Sequence, residues 1–468
     1  MTTPATGTAG AIPLLAARSS DEYRPLPPGP AERRAAADVA ARAHEIARRL
    51  RTDLAAHLHD RRGTATTLRA IDAAHGGGYF DVPEAAEWDL EAAAEAFAGR
   101  HQVVDVQTHL VDPGRWGRRS AAALAGFLST VDAGRWGGGV DPHEIDAARW
   151  ASLVFGTSET AVALLTSTPG SAEENVLTNP QIDAARQVVD RYAGTGRVLT
   201  HTIVHPNLGP DEIERMPGWR SALSPSGWKV YTLYGPPTAA SPTGGWFLDD
   251  DEVGFPFLEQ VRSVGPRVVA AHKGLGGPVP EASVAAASPR DVGPAARAFP
   301  DIDFVVYHSG YERDPGGQEG PYAGPEGARG VDRLVATLET SGLGPGANVY
   351  AELGSTWFLM LRRPAEAAHV LGKLLVALGP RNILWGTDST WYGSPQPLID
   401  AFRAFTIPEP LRERFGYPAL TPEVKEMILG DNARRVYRVA DEVPVPAVGD
   451  GWVGRAAAEL VRSVSAAG

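Results

Sequence analysis

The chain has 468 residues, of which 43% are hydrophobic and 21% are charged, a balance that is ordinary for a globular protein. Its net charge of -12 argues against nucleic acid or an anionic membrane as the main partner, because both bind to basic surfaces. Cysteine is absent, which excludes disulfides, thiolate metal sites and a cysteine nucleophile. Any metal ion must therefore be held by histidine and carboxylate side chains.

The N-terminal part of the chain lacks strand-like segments. Residues 1–30 end in the proline-rich run EYRPLPPGP, which cannot form a helix or an inner strand, so we expect a flexible lead-in. They also lack a basic stretch followed by a long apolar one. We therefore expect neither a signal peptide nor a membrane span, and a cytoplasmic location. Residues 31–101 carry apolar side chains at helical spacing and predict a helical N-terminal extension.

Residues 102–440 have a different pattern, in which short apolar runs alternate with helical stretches. Continuous apolar strands separated by helices are typical of a parallel sheet covered by helices. Eight such units, without a glycine-rich phosphate loop, favour an α/β fold of the (β/α)8 TIM-barrel type over an open sheet. Residues 441–468 predict a C-terminal tail. The strand-like runs are residues 103–107, 160–166, 197–203, 228–234, 267–272, 303–308, 348–353 and 382–387.

Polar residues stand at the ends of these runs, where a parallel barrel carries its chemistry. Of twelve histidines, five lie on or just beyond a run, and the last run is followed by an aspartate. A single histidine in such a place is usually structural, but several that converge with an aspartate on one barrel mouth indicate a metal site. The residues concerned are Asp105, Gln107, His109, His201, His205, His272, His308, Glu352 and Asp388.

These side chains also indicate which metal ion is expected. Imidazole nitrogens and a carboxylate oxygen suit Zn²⁺, with Mn²⁺ as the alternative. A catalytic site of this type keeps one position open for water, whose pKa the ion lowers toward about 7. Lys229 lies near the start of the fourth run, so the sequence offers no obvious carboxylated lysine to bridge two ions, and we expect one ion.

Five segments carry a family resemblance. They are DVQTHLVDP, VVAAHKGLGGP, DFVVYHSGYE, NVYAELGSTW and ILWGTDSTWYGSPQ, which occur in this order at the first, fifth, sixth, seventh and eighth runs. Together they resemble the amidohydrolase superfamily, specifically its amidohydrolase 2 branch, which groups TIM-barrel hydrolases with aromatic-acid decarboxylases. The resemblance covers roughly residues 100–440.

The resemblance implies roles for the residues at the strand ends. His109, His272 and Asp388 match metal-ligand positions of the family. His308 matches a histidine that acts on substrate or water. Gln107 departs from the pattern, because the family usually has histidine or glutamate there. A glutamine amide oxygen can bind a metal ion but is neutral and weak, so Gln107 is a candidate weak fourth ligand.

Four further residues are candidates for contact with the substrate. Lys273 could anchor a substrate carboxylate or could pair with a carboxylate of the barrel mouth. Glu352 is expected to orient a neighbouring histidine or lysine. His205 lies farther out and could line the pocket. Trp391 could stack against an aromatic substrate or could pack a loop.

We expect a metal-dependent hydrolase that acts through a metal-activated water on a small organic acid, amide or lactone. In this hypothesis Asp388 accepts the water proton and His308 stabilises the developing oxyanion. The first alternative is a metal-dependent non-oxidative decarboxylase of an aromatic or unsaturated acid. The second is a non-catalytic barrel that binds a ligand or partner, which only Gln107 supports. The expected partner is a small-molecule substrate, and the resemblance adds a homodimer as an expectation.

Overall fold

The structure is a computed structural model that describes residues 12–20, 22–131, 135, 139–276, 284–312, 318–446 and 451–468. Parts of the expected lead-in (residues 1–11 and 21) and of the expected tail (residues 447–450) lie outside the described residues. Within the described ranges, none of the helices combines the length and the apolar composition needed to cross a membrane.

Eight parallel strands form one sheet, and their order in the sheet is their order in the chain. The last strand lies beside the first, because Val106 N donates to Trp385 O (3.0 Å) and Asp388 N donates to Gln107 O (2.9 Å). The (β/α)8 TIM barrel is thereby confirmed. The strands are β1 (Val103–Thr108), β2 (Thr160–Leu165), β3 (Val198–Ile203), β4 (Gly227–Tyr231), β5 (Val268–His272), β6 (Asp303–Tyr307), β7 (Val349–Glu352) and β8 (Ile383–Leu384).

The alternation of residues along the strands separates two apolar clusters. In β5, Val269 and Ala271 belong to the cluster that the sheet shares with the surrounding helices. Val268 and Ala270 belong to a second cluster, built mainly from strand residues, that fills the barrel. Side chains two positions apart on a strand point to the same face. His272 therefore points into the barrel, above Val268 and Ala270.

Helices cover the outside of the barrel and form the N-terminal extension. Their first turns have local stabilisation: Thr178 N, at the start of one helix, donates to Gln181 Oε1 (2.8 Å), as in a capping box. The helices up to β4 are α1 (Pro30–Leu50), α2 (Leu54–His59), α3 (Arg61–Ala74), α4 (Leu90–Ala96), α5 (Arg119–Val131), α6 (Ala147–Ala151), α7 (Asn179–Ala193), α8 (Pro210–Glu214) and α9 (Met216–Leu223).

The helices after β4 complete the ring and the C-terminal part. The last of them packs against α7 and α6, on the outside of the barrel. They are α10 (Gly254–Val264), α11 (Val292–Ala298), α12 (Val331–Thr340), α13 (Thr356–Met360), α14 (Pro364–Leu378), α15 (Gln396–Ala404), α16 (Glu409–Phe415), α17 (Pro422–Glu426), α18 (Asn432–Tyr437) and α19 (Trp452–Ala466).

The segment before α1, residues 12–20 and 22–29, forms what we call the N-terminal strap. Ile12, Leu14 and Ala16 are buried in it, at 0%, 2% and 3% exposure. The sequence predicts a flexible lead-in over this region, whereas the described part is packed against the barrel. The difference arises because a proline-rich segment cannot form regular structure but can still bury apolar side chains in an irregular conformation.

Candidate metal centre

The barrel mouth collects the polar residues that the sequence predicts there. His272 and Glu352 are the last residues of β5 and β7, and His308 directly follows β6. Residue His272 of β5 pairs with Tyr307 of β6, so the two strands end at the same level. All these side chains are buried: Gln107, His308, Glu352 and Asp388 are 0% exposed and His109 and His272 are 1% exposed.

His109 and Asp388 form one half of the centre. His109 Nε2 lies 3.0 Å from Asp388 Oδ1. Gln107 Nε2 donates to the same oxygen over 3.2 Å and lies 3.4 Å from His109 Nε2. The other carboxylate oxygen, Asp388 Oδ2, accepts a hydrogen bond from Ser355 Oγ, which also bonds to Tyr392 OH over 2.6 Å. The Asp388 carboxylate is thus fixed at both oxygens.

Burial has the largest influence on the pKa of Asp388. It raises the pKa of Asp388, and the nearby negative charge of Glu22 raises it further. The hydrogen bond from His109 and the charges of His109 and His308 act in the opposite direction. The net effect is a raised pKa, so the Asp388 carboxylate binds a proton more readily than an exposed aspartate does.

His272 and His308 form the other half, together with Glu22 of the N-terminal strap. His272 Nε2 bonds to Leu275 O (3.0 Å) and His308 Nδ1 bonds to Gly354 O (2.8 Å). A carbonyl oxygen can only accept, so these two nitrogens carry hydrogen and the opposite nitrogens face the centre. Glu22 Oε1 lies 3.3 Å from His272 Nδ1 and 3.2 Å from His308 Nε2.

Glu22 shifts the pKa values of His272 and His308, and the two histidines shift the pKa of Glu22. Burial lowers the pKa of His272 to about 4, although its contact with Glu22 opposes the shift. Burial also disfavours the His308 cation, but the charge and hydrogen bond of Glu22 outweigh it and raise the pKa of His308 to about 9. For Glu22 itself, the two histidines outweigh burial and hold its pKa well below the usual value.

Glu22 is the site residue that sequence reasoning missed. It is 6% exposed, and its ligand atom lies within 4.8 Å of those of His272 and His308. Among the described residues, this is the group of histidine and acidic side chains that could hold a metal ion. No pattern in residues 1–30 marks the glutamate, since the segment has neither helical nor strand periodicity. The apolar residues beside it were the available signal that the segment is packed.

The residues around His308 keep it in place. Glu352 Oε2 accepts from His308 N (3.0 Å) and Glu352 Oε1 accepts from Gly354 N (2.6 Å), so Glu352 ties the loop after β6 to the loop after β7. Burial raises the pKa of Glu352 to about 7, with the charge of His308 acting against it. Glu352 thus contacts the backbone of His308 rather than the side chain of a histidine or lysine.

Lys273 is paired within the protein. Its Nζ donates to Asp291 Oδ2 (2.7 Å) and to Ala286 O (3.1 Å), and both charged side chains are 0% exposed. Burial lowers the pKa of Lys273, while the charge of Asp291 opposes the shift. Of the two interpretations of Lys273, this geometry favours the pairing with a carboxylate over the anchoring of a substrate.

His205 and Trp391 lie at different distances from the centre. His205 Nε2 bonds to Gly170 O (2.9 Å), and its ring centroid is 4.6 Å from that of Tyr234. Trp391 is 2% exposed, and its ring centroid lies 5.9 Å from that of His109. The structure therefore brings Trp391 to the metal-centre histidine, whereas His205 is held by a loop carbonyl and a tyrosine.

The donor atoms fit a divalent metal ion. His272 Nδ1 and His308 Nε2 face only the Glu22 carboxylate, at 3.3 and 3.2 Å, while Gln107 Oε1 and His109 Nδ1 are buried without a hydrogen-bond partner. Buried polar atoms are normally satisfied, and histidine nitrogens with carboxylate oxygens are the donors that Zn²⁺ and Mn²⁺ accept. In the described part of the chain, Glu22, His272 and His308 lie close enough together to share one ion, whereas His109 and Asp388 contact each other and are not part of that group.

Comparisons with solved structures give low similarities. A 5-carboxyvanillate decarboxylase from Sphingomonas paucimobilis is 16% identical, with 73% of this chain and 100% of that chain covered and a TM-score of 0.45. Amidohydrolase 2 from Bifidobacterium longum subsp. infantis is 14% identical (73% and 100% covered, TM-score 0.39). A 5-carboxyvanillate decarboxylase from Novosphingobium aromaticivorans, in complex with manganese, is 11% identical (74% and 97% covered, TM-score 0.39).

The chain matches a family model but no curated protein. A search of curated proteins finds no relative of the chain. The model of the amidohydrolase 2 family, described as amidohydrolase, matches residues 104–439, which include nearly all of β1 and the whole of β2 to β8. Because this match spans most of the sequence, the chain belongs to the amidohydrolase 2 family of enzymes.

Proposed function

We propose that the protein is a metal-dependent hydrolase that acts on a small organic acid, amide or lactone. The main support is the buried pair His272 and His308, whose far ring nitrogens bond to backbone carbonyls over 3.0 and 2.8 Å, so that His272 Nδ1 and His308 Nε2 face the centre. A ring nitrogen that is oriented by a backbone carbonyl on the opposite side of the imidazole is the usual form in which histidine binds a metal ion.

We infer that His109, His272 and Asp388 hold one divalent ion, with the Gln107 amide oxygen as a weak fourth ligand once the amide, whose Nε2 now faces Asp388 over 3.2 Å, has turned over. We propose Zn²⁺, with Mn²⁺ as the alternative, because both accept histidine nitrogen and carboxylate oxygen. When bound, the ion polarises a substrate carbonyl and lowers the pKa of a water molecule toward about 7.

Asp388 is the proposed proton acceptor for the attacking water. Ser355 Oγ and Gln107 Nε2 each hold one of its oxygens, the second over 3.2 Å, so the carboxylate does not have to reorganise when a proton arrives. A preoriented carboxylate next to the ligand His109 is placed to take a proton and to pass it to the leaving group.

His308 is the proposed donor to the developing oxyanion. Its Nδ1 is committed to Gly354 O over 2.8 Å, which leaves Nε2 to carry or release a proton toward the centre. Glu352 fixes the backbone of His308 through its amide, over 3.0 Å. The imidazole can therefore donate from one direction only, as charge stabilisation in a buried site requires.

A cavity outside the centre is the proposed entrance for substrate. It has a volume of about 580 Å³ and is lined by Arg18, Arg61, Arg135, Arg149 and Tyr392, among other residues. Tyr392 OH bonds to Ser355 Oγ, which in turn bonds to Asp388. Three carboxylates, those of Asp60, Glu144 and Asp400, also line the cavity, so its charge is mixed. We propose that Trp391 and His205 line the substrate path, and that Lys273 and Glu352 support it from behind.

Metal analysis and a substrate panel test this proposal. His109→Ala and Asp388→Ala should lose both the bound ion and hydrolysis, whereas the exposed His143→Ala should keep both. The panel contains small amides, lactones and aromatic acids, assayed for hydrolysis, for CO2 release and for ring-hydrogen exchange in D2O. CO2 release with exchange would assign the decarboxylase alternative, and full turnover by metal-depleted enzyme would contradict a metal mechanism altogether.

A further inference from the structure

Glu22 reaches the metal centre from outside the barrel. It belongs to the N-terminal strap, yet its carboxylate contacts the side chains of His272 and His308 at 3.3 and 3.2 Å. Its side chain is 7% exposed. A buried carboxylate in such a place must be compensated by cations or hydrogen bonds, because the charged form loses its hydration.

Glu22 Oε1 lies close enough to the proposed ligand His272 for both side chains to bind one ion. Around a tetrahedral zinc ion with bonds of 2.0–2.2 Å, neighbouring ligand atoms are about 3.4 Å apart. Glu22 Oε1 lies at 3.3 and 3.2 Å from the two histidine nitrogens. The other oxygen, Glu22 Oε2, accepts from Ser20 Oγ over 3.0 Å. One oxygen is thus held within the strap and one is presented to the centre.

The donors that the barrel supplies carry only one negative charge, so a second carboxylate can also bind a divalent ion. Among His109, His272, Asp388 and Gln107, only the aspartate is anionic. Gln107 supplies only a neutral amide, which is a weak ligand. With Glu22 included, two carboxylates face a divalent ion, so the charges of the centre balance. A neutral first-strand residue and an acidic strap residue would then compensate each other.

The strap holds Glu22 in position through several contacts with the barrel and with itself. Arg18 Nη1 donates to Tyr392 O, and Arg362 Nη2 donates to Ala16 O over 3.2 Å. Tyr23 OH donates to Arg18 O over 2.7 Å. These contacts fix the backbone on both sides of Glu22, as the delivery of a metal ligand requires.

We propose that Glu22 is a ligand of the metal ion, supplied by the N-terminal strap in place of the charged ligand that Gln107 does not provide. The inference rests on the proposed metal centre and adds to it a residue from outside the barrel. Its consequence is that the strap is part of the active site. Loss of the strap should weaken metal binding even though every barrel ligand remains.

Metal titration of the metal-depleted chain tests this inference. Glu22→Gln keeps the shape of the side chain and removes its charge. The control is Glu426→Gln, a similarly buried carboxylate, 8% exposed, that accepts from Arg100 N and His101 N at the opposite end of β1. Zn²⁺ affinity is measured by competition with a chromophoric chelator. We expect Glu22→Gln to bind Zn²⁺ at least about tenfold more weakly, and Glu426→Gln to bind like the unaltered chain.

Replacing Zn²⁺ with Co²⁺ gives a second measurement, which responds to the side chains that bind the ion directly. Its visible absorption reports the number and type of ligands, so Glu22→Gln should change the spectrum and Glu426→Gln should not. Circular dichroism of the metal-free proteins checks that both variants are folded. Unchanged or tighter Zn²⁺ binding by folded Glu22→Gln, with an unchanged Co²⁺ spectrum, would overturn the role of Glu22 alone. If the unaltered chain binds neither ion, the metal centre itself is refuted.

Discussion

Three residues of the metal centre have positive φ angles. His308, Ser355 and Asp388 have φ angles of 63°, 54° and 62°. Residues with a Cβ atom rarely adopt this region, and each costs on the order of 1 kcal/mol or more. Surrounding hydrogen bonds hold two of these residues in place: His308 N donates to Glu352 and Asp388 N donates to Gln107 O. Such strain concentrates where a side chain must point in one direction, which agrees with the roles proposed for His308 and Asp388.

Ser355 should matter to the metal centre through Asp388. Ser355→Ala removes the hydrogen bond to Asp388 Oδ2 and the contact with Tyr392 OH. Because the carboxylate then loses one of its fixed positions, we expect the Zn²⁺ affinity to fall about tenfold. Chelator competition measures this. Ser394→Ala, which removes a bond to Thr157 O, is the control. Equal affinities of the two variants would contradict the role of Ser355.

His205 should make stability depend on pH. Burial lowers its pKa from 6.5 to about 4, so between these pH values the unfolded chain binds more protons there than the folded chain. The free energy of unfolding therefore rises with pH across this window and falls on acidification, by at most about 3 kcal/mol. His205→Gln keeps a donor for Gly170 O but does not titrate. It should lose this part of the pH dependence.

Urea unfolding at pH 7 and pH 4.5 measures the effect of His205. The quantity compared is the change in free energy of unfolding between the two pH values, which should be smaller for His205→Gln than for the unaltered chain. The exposed His44→Gln is the control and should behave like the unaltered chain. Parallel pH profiles for all three proteins would rule out a buried neutral His205.

The strand ends show which part of the fold the sequence could predict. Apolar runs locate every strand, because a sheet that is buried on both faces leaves a continuous hydrophobic signature. The extent is less predictable: residues 382–387 form one run, but β8 is only Ile383–Leu384. Beyond Leu384, Trp385 N donates to Ile428 O, and Gly386 lies against Glu352. These long-range contacts end the strand and have no local signal.

Gly386 is expected to be required by the packing of Glu352. A Cβ atom at this position would overlap with Glu352 Oε1 and lie 3.2 Å from Gln107 Cβ. Gly386→Ala must therefore displace Glu352 from its bonds to the amides of His308 and Gly354. We expect a loss of about 2 kcal/mol in free energy of unfolding.

A matched glycine separates this steric effect from the effect of glycine itself. A Cβ atom at Gly218, in α9, meets nothing within 4 Å. Gly218→Ala should raise the free energy of unfolding by up to about 1 kcal/mol, because alanine favours a helix. Denaturant unfolding of both variants gives the comparison. A Gly386→Ala protein that is as stable as Gly218→Ala would show that Glu352 is not confined as described.

Sequence patterns predict which residues stand at the barrel mouth, but not the conformation of the loops or of the N-terminal strap. The positions of His109, His272, His308 and Asp388 at the barrel mouth follow from strand order alone, since parallel strands end at one face. Their division into two halves does not follow, because it depends on loop conformation. Glu22 was not predictable, since its placement depends on contacts of the N-terminal strap with distant residues. Long-range packing of irregular segments leaves no periodic signal in a sequence.

The C-terminal helix α19 should contribute to the stability of the whole barrel. Trp452 is 5% exposed. Its ring centroid lies 5.7 Å from that of Phe155, and Arg197 Cζ lies 5.6 Å from the Trp452 ring centroid. Trp452→Ala leaves a cavity between α19 and the barrel and should lower the free energy of unfolding by about 3 kcal/mol. Val445→Ala, at a side chain that is 47% exposed, should change it by less than about 0.5 kcal/mol.

The same helix also contacts the loop that follows β1. Ser465 Oγ donates to Asp112 Oδ1 (2.8 Å), while Gln181 Nε2 donates to Asp112 Oδ2 (2.7 Å) and to Val464 O (3.0 Å). Since His109 lies only three residues before Asp112, loosening of α19 in Trp452→Ala should also reach the metal centre. Hydrogen exchange of the β1 loop should therefore be faster in Trp452→Ala than in Val445→Ala. Equal exchange with a lowered stability would confine the effect to α19 and its neighbours.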